Sequence, residues 1–214
     1  YNKQYTPNYP RRGYGPQNYV YNLLLWMGPD VDVRDLRDYW MPGQEGLQQR
    51  HYNLAWYNNP YFAAYENRQP YNADNTYGYL SLGYQFTPSL KLMARSGADM
   101  RQDAYELLTP KSYILYSDDV NGNYYIENNA DFQLNNDLLL TFDRSFGDNL
   151  EVNIMTGATA RYRNRRFLSS NTSGLNIPEL YTLANSMNDV TTTNLRGSKR
   201  VNSLYATADI GFAR

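Results

Sequence analysis

The 214-residue sequence carries 20 Lys and Arg against 21 Asp and Glu, a net charge of -1, with no cysteine and one histidine, His51; its mean hydropathy is -0.73. These values exclude a disulfide scaffold, a thiolate or histidine-rich metal centre and a membrane-spanning helix, which needs about 20 consecutive apolar residues. They give no electrostatic reason for nucleic acid as a partner. Strand-built membrane proteins pass the same filter, because half of their strand positions face polar surroundings. The 23 tyrosines and three tryptophans suit a membrane interface and a sugar- or peptide-binding surface equally.

Residues 1–72 are rich in Tyr, Pro, Asn and Gly and read as an extracellular-type loop region around one short helix. Val20, Leu23, Leu24 and Met27 recur at helical spacing, and Gly28-Pro29 stops that helix. A second helical turn is predicted within "VDVRDLRDYW". So long a segment with little regular structure is typical of a functional loop laid over a scaffold.

From about residue 73 the pattern turns to strands, and every one obeys the period-2 rule. In the first, Leu80, Leu82, Tyr84 and Phe86 share a face against Tyr77, Tyr79, Ser81, Gly83 and Gln85. In the return strand Leu90, Leu92, Ala94, Ser96, Ala98 and Met100 oppose Lys91, Met93, Arg95, Gly97 and Asp99. Next, Phe132, Leu134, Leu138, Leu140 and Phe142 oppose Gln133, Asn135, Asp137, Thr141 and Asp143. Leu150, Val152, Ile154, Ala158 and Ala160 oppose Glu151, Asn153, Thr159 and Arg161, and a fifth strand sets Ala206, Ala208 and Ile210 against Tyr205, Thr207 and Asp209.

Two connections are tight, Thr87 to Ser89 and Gly147 to Asn149, and two are long, 101–131 and 163–203. Strict alternation puts the short turns at one end of the strands and the long loops at the other. An aqueous sandwich has no reason to sort its loops so; an outer-membrane barrel does. The predicted fold is therefore all-β, an antiparallel transmembrane β-barrel segment. Leu80, Leu82, Tyr84, Phe86, Leu138, Leu140 and Ile154 face lipid, and Lys91, Arg95, Asp99, Asp137, Asp143 and Glu151 face the lumen. Arg144, the one charge on the lipid face, sits beside a turn where it reaches headgroups. Aromatics at Tyr84, Phe86, Phe142, Phe146 and Phe212 mark a girdle at the turn ends.

At this point "WYNNPYFAAYENRQ", "DNTYGYLSLGYQFTPSLKLMARSGADM", "LNIPELYTLANS" and "RVNSLYATADIGF" resemble, in order and spacing, the middle barrel region of SusC/RagA-type TonB-linked outer-membrane transporters of the Bacteroidetes. The resemblance implies a plugged barrel of about 22 strands, long extracellular loops, a SusD-like surface lipoprotein as lid, and energy from TonB acting through a plug. No plug or TonB box is recognisable in these 214 residues, so the chain reads as a fragment, 73–214 being barrel strands with two long outer loops.

Three motifs admit sharper readings. "YSDDVNGNYYIEN" echoes the start of an EF-hand loop, but Asn128 stands where a bidentate Glu is needed, and a hairpin tip on Val120-Asn121-Gly122 serves as well. "RYRNRRF" suits lipopolysaccharide phosphates or plain solvation. Trp26, Tyr39, Trp40, Trp56 and Tyr57 are candidate ligand or lid contacts, or else pack the loop against itself. Asp118 and Asp119 point to opposite sides of a strand, and no catalytic constellation, metal site or cofactor site is expected. The sequence thus predicts part of a bacterial outer-membrane importer of oligosaccharides or peptides, in contact with bilayer and lipopolysaccharide and not an enzyme. A secreted or surface soluble β-protein that binds carbohydrate or another protein is the competing class.

Overall fold

The computed structural model describes residues 1–6, 19–53, 57–114, 121–147 and 149–212. Its strands form one antiparallel sheet in which chain order is spatial order: β1 (Asn2–Thr6), β2 (Tyr71–Thr87), β3 (Leu90–Thr109), β4 (Asn123–Phe146), β5 (Leu150–Asn171) and β6 (Thr191–Phe212). Helical structure among the described residues is confined to α1 (Tyr19–Leu25), α2 (Pro60–Tyr65) and two 3-10 turns, Val33–Leu36 and Leu183–Asn185. The fold is all-β, and its sheet is open, with β6 along one edge.

Both tight turns follow from local chemistry. Pro88 fixes φ in the β2–β3 turn, and the Ser89 amide donates to Thr87 Oγ1 at 3.3 Å. In the β4–β5 turn Gly147 adopts φ 63°, a left-handed conformation that carries a steric cost for a residue with a Cβ. These turns set the register. Leu82, Ala94, Leu138, Ala158 and Leu204 stand opposite one another across five strands, and so, one residue along, do Ser81, Arg95, Asp137, Thr159 and Ser203. A slip of one residue in any hairpin would move an apolar row to the polar face.

The strands run past their predicted ends. β3, β4, β5 and β6 have 20, 24, 22 and 22 residues, so the connections on the far side shrink to 110–122 and 172–190. Just beyond Met100 polar residues stand on both faces, and further on Tyr105, Leu107 and Leu108 are buried without alternating, so a period-2 apolar pattern has little to show there. β1 and α2 were not anticipated either. β1 pairs with Tyr71–Asn75 of β2.

The buried core lies at the far end of the sheet, where Tyr105, Leu107 and Leu108 of β3 are buried and a loop cluster forms beyond them. Phe62, Ala63 and Tyr113 are its centre, with Tyr19, Tyr39 and Trp40 packed around them. Around this small cluster the loops are tied by side-chain amides. Gln49, 1% exposed, donates from Nε2 to Asn58 Oδ1 and to the Ser112 carbonyl, both at 2.7 Å, and accepts from the Asn59 amide at 2.9 Å. Asn59 in turn caps α2, accepting from the Tyr61 amide at 2.9 Å, and donates to the carbonyls of Leu36 and Arg50.

Candidate functional site

The polar face of the sheet is a lattice of rows. In the row nearest the middle of the strands Arg95 pairs with Asp137 at 2.8 Å, and Thr159 Oγ1 donates to the same carboxylate at 3.0 Å. Further from the turns Asp131 takes both Arg163 and Arg165, the latter at 3.0 Å. Arg101 pairs with Asp103 at 3.1 Å and donates to the Tyr71 hydroxyl, while Asn129 Nδ2 donates to Asp103 at 2.9 Å. The groups around Asp131 and Asp103 edge a concavity of about 570 Å³ whose lining includes Asn75, Asp99, Arg101, Asp131, Gln133 and Arg163. Cations and carboxylates interleave, so this face presents donors and acceptors at short intervals.

Of the predicted lumen set, Arg95, Asp99 and Asp137 lie in these rows. Lys91, Asp143 and Glu151 lie nearer the turns, opposite Thr141, Asn153 and Gly211; none of the three forms an ion pair among the described residues. Arg101, Asp103 and Asp131 were missed because they fell in a segment read as loop. Asp99, Arg101 and Asp103 repeat a charge at every second residue, a signal that the apolar criterion ignored; Asp131, between Asn129 and Gln133, gave none.

The other face carries all seven predicted lipid-facing residues: Leu80, Leu82, Tyr84, Phe86, Leu138, Leu140 and Ile154. It is uncovered among the described residues, with Leu82 67% and Leu204 87% exposed. From Leu90 to Met100 it runs about 33 Å along the strand, or about 25 Å in height at a 40° tilt. Aromatic pairs bound it at both ends. Near the turns the Tyr84 and Phe86 rings meet edge to face at 4.9 Å, and the Arg144 guanidinium lies 5.2 Å over Phe146. At the far end Phe132 meets Tyr162 at 6.4 Å, and Arg200 lies 5.3 Å over Tyr162.

The loop aromatics divide. Trp40 packs edge to face on Phe62 at 5.1 Å, and Tyr39 donates to Glu66 Oε1 at 2.7 Å; burial, reinforced by Glu66, pushes the Tyr39 hydroxyl up to about 12. Trp26, 46% exposed, stacks with Tyr57 at 6.2 Å. Trp56 lies outside the described residues, as do residues 116–120 of the segment 116–128 weighed as a hairpin tip or a calcium loop.

Among the described residues the sheet is thus a long antiparallel meander with one ion-paired face and one exposed apolar face bounded by aromatics. No protein-family model and no curated protein matches the chain. In fold it is similar to a structure of the RagAB peptide transporter, with a TM-score of 0.59 and 14% identity over 72% of this chain and 17% of that one. Structures of the RagAB peptide importer in the "closed-closed" and "open-open" states give TM-scores of 0.56 and 0.54 at the same identity and coverage. At 14% identity the likeness is one of fold, and this chain spans 17% of the length of those chains.

Proposed function

We propose that these residues form part of the wall and outer rim of a TonB-dependent importer of the SusC/RagA type in the bacterial outer membrane. The observation that carries this is the exposed apolar band, about 25 Å tall and edged by aromatics, backed by a charged face and closed at one end by tight turns; the fold likeness to RagAB chains agrees with it. In this reading the chain is a scaffold without chemistry of its own. Oligosaccharide or peptide is captured above the membrane with a SusD-like lipoprotein as lid, and TonB drives passage through a plug supplied outside these residues. The polar rows built on Arg95, Asp131 and Asp137 meet the plug or the passing solute.

Substitution separates this from a soluble binding protein. Arginine on the lipid face costs about 2–4 kcal/mol near the bilayer midplane, whereas Ser81 lies on the polar face beside Arg95, where a second cation costs less than about 1 kcal/mol. Leu82→Arg should therefore drop severalfold in the outer-membrane fraction, while Ser81→Arg accumulates like the parent. Equal accumulation of the two variants, or a parent protein that stays monodisperse without detergent, rejects the membrane assignment in favour of the soluble β-protein.

A further inference from the structure

Four arginines crowd the segment Arg161 to Phe167, and the register sorts them. Arg161, Arg163 and Arg165 lie on the ion-paired face. Arg166 lies on the other, directly opposite Arg196 of β6. Arg200, four residues along β6 from Arg196, shares that face with its guanidinium over Tyr162. Three cations thus gather on the apolar side of the sheet just beyond the Phe132–Tyr162 border.

Like charges directly opposed on neighbouring strands repel, and among the described residues none of the three makes an ion pair. The carboxylates nearby, Asp74 and Asp103 of the concavity lining among them, already accept hydrogen bonds from other donors. Asp74 accepts from the Tyr1 hydroxyl at 2.9 Å, Asp103 is held by Arg101 and Asn129, and Glu106 accepts from Tyr124 at 2.9 Å. Between Arg166 and Arg196 the surface dips into a concavity of about 400 Å³, also lined by Asn128, Asn194, Asp74 and Asp103. The site is concave, sets an opposed arginine pair among amides and two hydrogen-bonded carboxylates, and adjoins the apolar band.

We propose that Arg166, Arg196 and Arg200 bind the phosphate groups of a phosphorylated glycolipid in the outer leaflet, its acyl chains lying on the band below. The inference rests on the membrane placement proposed above, which sets Arg200 at the headgroup border and Arg166 with Arg196 about 10 Å higher, at the level of a glycolipid's sugars. Guanidinium forks take phosphate oxygens two at a time. Arg166 and Arg196, on strands about 4.8 Å apart, suit one phosphate; Arg200 lies about 13 Å along the strand from Arg196, so the spacing suits a headgroup phosphorylated at both ends.

The test uses detergent-extracted protein placed in phosphatidylcholine nanodiscs that contain either bisphosphorylated lipid A or the same glycolipid stripped of phosphate, with bound glycolipid counted by native mass spectrometry. The parent should retain the phosphorylated form about tenfold better, equivalent to one strong charge-assisted contact. R166Q/R196Q/R200Q should lose that preference, the triple lysine variant should keep part of it, and Arg165→Gln, on the opposite face, should leave it intact. Equal retention by the triple glutamine variant and the parent overturns the site. If inorganic phosphate binds in discs without lipid A and displaces the glycolipid, the ligand is free phosphate and the lipid assignment is wrong. Failure of the parent to enter phosphatidylcholine discs at all rejects the membrane placement itself, a separate result.

Discussion

Gln49 shows how the loop layer is held with so little apolar surface. Its amide satisfies Asn58, Asn59 and Ser112 at once. Truncation in Gln49→Ala leaves buried donors and acceptors unpaired, at about 1–3 kcal/mol. Hydrogen exchange of amides in 57–67 and 112–114 should quicken in that variant, with β4 and β5 unchanged. His51, nearby, responds to pH. Its Nε2 lies 3.1 Å from Gln48 Nε2, and burial lowers its pKa from 6.5. The folded ring stays neutral while the unfolded one takes up a proton, so its stabilising contribution is present above pH 6.5 and is lost as pH falls from there through the lower folded pKa. Limited proteolysis of the 39–68 region should therefore accelerate on mild acidification, and His51→Gln should flatten the profile. In the sequence these residues read only as loop composition, because a polar side chain does not announce its partner.

Among the elements, the strand faces were legible and the strand lengths were not. Leu80, Leu82 and Tyr84 betray a period of two because one side is apolar; Gln102 to Glu106 and Asn194 to Arg200 keep the same period with polar residues on both sides. α2 could have been found from Asn59 followed by Pro60, a cap and a first-turn proline in succession. The ion pairs on Asp131 require the register, which depends on turn geometry. Packing across β5 and β6 makes a further prediction. The Tyr205 ring lies against the backbone of Gly157, where an added Cβ would run into it. Gly157→Val should cost about 1–3 kcal/mol by overpacking, read as a lower denaturant midpoint in detergent. In a Tyr205→Ala background the penalty should largely vanish.

For the whole molecule, the alternation of short and long connections and the uncharged face point the same way, and both were visible without coordinates. The partition of the arginines between the two faces was hidden, because Arg196 and Arg200 fell in a stretch read as loop.

The polar upper half of the sheet has a further consequence in the proposed setting. From Phe132 back to Asn123, β4 climbs about 30 Å, or about 23 Å in height at a 40° tilt. Headgroups occupy only about 5–8 Å of that rise. The Phe62 cluster and its amide ties therefore stand about 15 Å clear of the lipid surface, as a platform on a palisade. A bulky solute, a protease or an antibody can reach that platform without touching the bilayer, so first contact with the outside world is governed by the loops alone.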